Sequence, residues 1–178
     1  MESKLEKILD TCSFLSDEQV HTLRNNAKIF DILPPSKGLF RNLSENSASF
    51  DDKLDLMSSH KNILVGLPSS CLSLLFRRSL EKTIQRVLSV PELQALGLEG
   101  QAIGLVLKNG DVNEKVQGAK DLKALGVEGQ AIGLVLNNGD VNEKVQGAKD
   151  LQALGVEGHS IGLVLQSGDV NEKVQGAR

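Results

Sequence analysis

LKALGVEGQAIGLVLNNGDVNEKVQGAKD, residues 122–150, is the middle of three near-copies that begin at Leu93, Leu122 and Leu151, the last of them reaching Arg178 one residue short. The period is 29 residues, and a fixed period of this size marks a chain built from one supersecondary unit used repeatedly. Within the unit, Asp140 stands where a helix N-cap is wanted and Glu143 follows three residues on, the spacing of a capping box. Val141, Val145, Ala148, Leu151 and Leu154 then recur at helical spacing, and Gly155 sits where a left-handed C-cap ends the helix. This second helix of the unit is read directly from pattern.

The first half of the unit is harder. Val127 to Asn138 holds the apolar group Ile132, Leu134, Val135 and Leu136, which suits a short buried helix or a buried strand equally well by periodicity. A helix is expected, with Gly129 and Gly133 on one side so that a neighbouring helix can come close. The alternative is a strand, giving an α/β leucine-rich-like unit, because Leu122, Leu125 and Val127 match the opening of that pattern; Gln130 then stands where such repeats carry Asn or Cys. An Asn138-Gly139 hairpin turn is a further alternative, although the third copy has Ser167-Gly168 there.

Upstream, Ser16 to Gln19 forms a second capping box, expected to open a helix that runs to Leu33 before Pro34-Pro35. Residues 36–49 read as a Ser- and Asn-rich loop with a helical turn, and Phe50 to Met57 and Lys61 to Leu67 as short helices. Residues 69–92 can be laid on the repeat with Ser79 at the place of Asp111 and with Leu80, Ile84, Val87 and Val90 at the places of Val112, Val116, Ala119 and Leu122. The expected architecture is therefore all-α. An N-terminal helical cap (1–68) leads into a degenerate repeat (69–92) and a short α-solenoid of two-helix repeats (93–178). The last copy shows no cap of its own, so either a longer array or self-association through that repeat is expected.

Composition narrows the function. With no Trp, no Tyr and five Phe among 178 residues, the core must come from Leu, Ile, Val and Ala. Cys12 and Cys71 lie far apart without a CxxC, and are expected to be buried free thiols. His21, His60 and His159 each stand alone, so no metal and no cofactor is expected. Asp140-Val-Asn142 lacks the remaining ligands of a calcium loop, the glycines match no phosphate-binding pattern, and no Ser–His–Asp set can be assembled. A non-enzymatic role is expected. The mixed-sign N-terminus followed by no long apolar run predicts a cytoplasmic, membrane-free protein, with non-classical secretion as the other route.

The differences among the copies are the informative positions. They fall at seven places, five of them polar in every copy. Gln101, Gln130 and His159 occupy one, Lys108, Asn137 and Gln166 another, and Asn109, Asn138 and Ser167 the next. These nine residues are the candidate partner-binding set; drift on a solvated face is the plain alternative. A short helix, two variable residues, a Gly and a second helix resembles transcription-activator-like effector repeats, over residues 93–178 alone, with Asp111, Asp140 or Asp169 where that family has its second loop Gly. In that family the paired loop residues face DNA bases, so the resemblance implies a nucleic-acid partner read by the 108–109 pair and its counterparts. The charge speaks for a different class, since residues 91–178 hold eight basic and twelve acidic side chains. A protein partner bound by a helical-repeat surface is the leading expectation, with nucleic-acid binding and structural self-assembly as the rivals.

Overall fold

The computed structural model describes residues 3–178, and among them every regular element is helical. The protein is all-α. The chain forms two compact units, residues up to Val90 and residues Pro91–Arg178.

The first unit contains α1 (Lys4–Leu9), α2 (Asp17–Asn25), α3 (Ile29–Ile32), α4 (Lys37–Ser44), a 3-10 turn at Ser47–Ser49, α5 (Phe50–Ser59), α6 (Lys61–Leu64), α7 (Ser69–Leu75) and most of α8 (Leu80–Ala95). The capping box at Ser16 and Gln19 forms as its spacing requires, with both reciprocal bonds made. The helix it opens is shorter than expected. It ends at Asn25, where the Asn26 side-chain amide donates to the Thr22 carbonyl and closes the last turn, and a separate turn, α3, precedes Leu33.

Residues 36–49 hold a true helix rather than a loop. Ser36 caps α4 by accepting from the Leu39 amide, and Leu39, Phe40 and Leu43 are fully buried. That 0, 1, 4 spacing puts three large apolar groups on one side, and their burial outweighs the weak helix propensity of the polar residues around them. α4 packs on α7, and the Phe40 ring meets Phe30 edge-to-face at 5.3 Å.

Two buried cations complete this unit. The Arg86 guanidinium donates to the carbonyls of Leu74, Leu75 and Arg77 and so closes the C-terminus of α7. Lys53 donates to the Asn42 and Arg78 carbonyls, the latter at 2.7 Å, while the Glu45 carboxylate accepts from the Arg78 amide at 2.8 Å. These bonds hold Arg78 at φ 71°, a conformation that costs a non-glycine residue about 1–2 kcal/mol. Cys12 and Cys71 are both buried.

Residues 69–92 share some local details with the repeat and differ from it at Ile84. The Ser79 hydroxyl accepts from the Lys82 amide three residues on, as Asp111 does from Glu114. On α8, however, Thr83, Arg86, Val87 and Val90 are buried while Ile84 is exposed. Those four stand at the places of Lys115, Gly118, Ala119 and Leu122, all of them buried, and Ile84 departs, since Val116 at its place is buried.

The second unit holds α9 (Gly100–Leu107), α10 (Val112–Ala124), α11 (Gly129–Leu136), α12 (Val141–Ala153), α13 (Gly158–Leu165) and α14 (Val170–Ala177). The strand and hairpin alternatives for the first half of each copy are overturned. Glu128 is extended, and from there the chain enters a helix in which the Ile132 amide reaches the Glu128 carbonyl at 2.9 Å. The short first helices stack on one another, α9 on α11 and α11 on α13, as do the second helices, α10 on α12 and α12 on α14.

The turns obey the local signals. Asp111, Asp140 and Asp169 each accept from the amide three residues on, at 3.0, 3.0 and 2.9 Å. At the far end of α12, Gly155 has φ 88°, and the amide of Val156 reaches back to the Leu151 carbonyl at 3.0 Å, a Schellman closure. Asp140→Ala should lower stability by about 1 kcal/mol, read as a reduced urea midpoint with an unchanged m value.

Candidate functional site

Each first helix runs into two variable residues, a Gly and the N-cap Asp of the second helix, so the three loops form a row along one edge of the unit. Between the first and second loops lies a hollow lined by Asn109, Asp111 and Glu114 on one side and Asn137, Asn138 and Asp140 on the other. The next hollow repeats it with Asn138, Asp140 and Glu143 against Gln166, Ser167 and Asp169. Asp111, Glu114, Asp140, Glu143, Asp169 and Glu172 are all exposed, so this edge is acidic along its length.

Beneath the loops lie two buried lysines that sequence reading did not find. Lys115 and Lys144 are 3% and 4% exposed, and their ammonium groups donate to the carbonyls of Leu136 and Leu165, the last residues of the first helix in the following copy. Burial holds both pKa values below the ordinary lysine range, and Lys144 adds to the effect on Lys115 by charge repulsion. Each lysine thus satisfies a helix terminus one repeat away and sets the height of the next loop.

The nine candidate residues do not form one cluster. Asn109, Asn137, Asn138, Gln166 and Ser167 line the two hollows, with exposed Lys108 beside the first loop. Gln101, Gln130 and His159 are exposed too, but they lie at the opening turn of each first helix, about 10 Å of helix away from the loops. Gln130 there joins a separate hollow with Glu99, Lys123 and Glu128. The variable set at 102, 131 and 160 behaves differently again, because Ala102 is fully buried in the seam between copies while Ser160 is exposed. A Cβ on Gly133 would lie 2.8 Å from the Ala102 Cα, so this position senses the neighbouring repeat and not a solvated face.

The Asn137 side-chain oxygen is buried without a hydrogen-bond partner at the end of α11. Among the described residues, no three His, Cys, Asp or Glu side chains gather as metal ligands, and no helix is long and apolar enough to cross a membrane. No family model matches this chain, and neither does any curated protein or solved structure.

Proposed function

We propose that the chain is a protein-binding module whose acidic loop edge receives a basic segment of a partner protein. The observation that carries this reading is the row of three loops, each pairing two variable polar residues with an exposed Asp and Glu at the same places in every copy. Variable side chains on a constant acidic frame combine long-range attraction for cationic groups with local selectivity at each step. The same frame opposes phosphate, because a strand laid along the loops would meet two carboxylates per repeat. Recognition by side chains at the 108–109 pair and its counterparts follows the resemblance to transcription-activator-like effector repeats, while the partner is a protein, as the charge of residues 91–178 implies.

A photo-crosslinking residue at Asn138 tests the reading. In lysate it should give a nuclease-resistant protein adduct that weakens with salt and is lost in the Glu114→Lys, Glu143→Lys, Glu172→Lys variant. The same group placed at Glu128, at the opposite end of the first helix, should give none. A nuclease-sensitive adduct at Asn138, or a protein adduct indifferent to the charge reversal, would remove the proposal.

A further inference from the structure

The two hollows of the loop edge repeat at a fixed step. They lie between the loops that open α10, α12 and α14, and α10 stacks on α12 as α12 does on α14. Stacked helices stand about 8–10 Å apart, so the carboxylates of one hollow recur at about that distance in the next. The first hollow presents Asp111, Glu114 and Asp140, and the second Asp140, Glu143 and Asp169. The Asn137 side chain lines the first, and its oxygen has no hydrogen-bond partner. An N–H donor entering there meets an acceptor that the protein itself leaves unused.

A step of this size selects the backbone of whatever lies along it. On a β-strand, side chains of one face recur every second residue, at about 6.6 Å and then about 13 Å, and neither matches. On an α-helix the first match comes seven residues on, at about 10.5 Å. A polyproline II segment turns once in three residues and rises about 3.1 Å per residue, so every third side chain returns to the same side after about 9.3 Å. The walls of the hollows separate the last two. Among the described residues, the side chains in those walls are polar except Val141 and Val170, which are buried. A docking helix needs a groove for its apolar face, whereas a polyproline II backbone keeps its C=O groups unbonded and takes donors from polar side chains. Exposed Asn109, Asn138 and Ser167 carry such donors, one in each loop.

Resting on the basic-partner reading above, we infer that the loop edge takes a polyproline II segment with arginines three residues apart, one to each hollow. A guanidinium that pairs with a carboxylate still has N–H groups to spare, and at the first hollow one of them serves the Asn137 oxygen. Lysine offers a point charge without that planar fork.

The test is a titration of isotope-labelled full-length chain, at low salt, with three eight-residue peptides. Each holds six prolines and two arginines, and the arginines stand two, three or four residues apart. The peptides share charge and composition, so attraction alone does not rank them. The amides of Asn109, Asn138 and Ser167 should shift and saturate with the three-apart peptide while those of Gly38 and Gly66 stay in place. The other two spacings should bind about fivefold more weakly, the loss of one ion pair. Lysine in place of both arginines should also weaken binding, and Asn137→Ala should narrow that difference. The inference is overturned if the three spacings bind alike, if lysine serves as well as arginine, or if millimolar peptide moves none of the loop amides. It is also overturned if a helical peptide with arginines seven apart binds more tightly, because the partner is then a helix. The Asn138 crosslink reports separately: a salt-sensitive protein adduct together with equal affinities for the three spacings removes the register and leaves the basic partner.

Discussion

Gly158→Ala should cost about 3 kcal/mol and detach the third repeat from the second, whereas Gly176→Ala should cost nothing. The new methyl at 158 would overlap the Gly126 carbonyl and lie 2.9 Å from the Gly126 Cα. Both obstacles are backbone, so no side chain can rotate away and the seam itself must open. At Gly176 a Cβ meets nothing within 4 Å, and the substitution brings only the propensity advantage of Ala over Gly, up to about 1 kcal/mol in favour of folding. Urea unfolding followed by far-UV circular dichroism distinguishes the two, with an early transition of reduced amplitude expected for Gly158→Ala alone. Equal midpoints would mean that the close approach of the copies is not what fixes their stacking.

The second large effect belongs to Lys144. Replacing it by Met keeps most of the buried stem but leaves the Leu165 carbonyl without its donor, at a cost of about 1–3 kcal/mol. Lys173→Met, at the equivalent but exposed position, should leave stability within about 0.5 kcal/mol of the parent. The pH dependence gives an independent check. Burial lowers the Lys144 pKa in the folded chain, so in the window below the ordinary lysine value the unfolded chain binds more protons. Stability should therefore rise with pH across that window, and the rise should be smaller in Lys144→Met than in the parent. A steeper rise in the variant would show that the ammonium is stabilised, not penalised, by its surroundings.

The second helix of each copy was legible because its signals are local. Asp140, its apolar stripe and Gly155 all lie on one continuous segment, and each acts through the backbone beside it. The first helix was ambiguous for the reason that makes it stack: Gly129 and Gly133 lower its propensity, and what restores it is a neighbour 29 residues away. α4 was hidden by its Ser and Asn content, although Leu39, Phe40 and Leu43 carried the information. Of the candidate site, the loop pairs were found from variation among copies. The buried lysines were not, since a Lys on the second helix reads as surface until its carbonyl partner, 21 residues on in the next copy, is in place.

The seam has a genetic consequence. Because every copy carries at the same places the Lys and the glycines that meet across each seam, an unequal exchange that inserts or deletes one whole 29-residue unit changes a junction only at the 98 and 102 sets. A frame-preserving gain of one unit needs no compensating substitution anywhere else in the array. Alleles of different repeat number would then share one joint and differ in how many loop pairs they display, so the loop edge can lengthen in steps of one unit without revisiting the problem of folding.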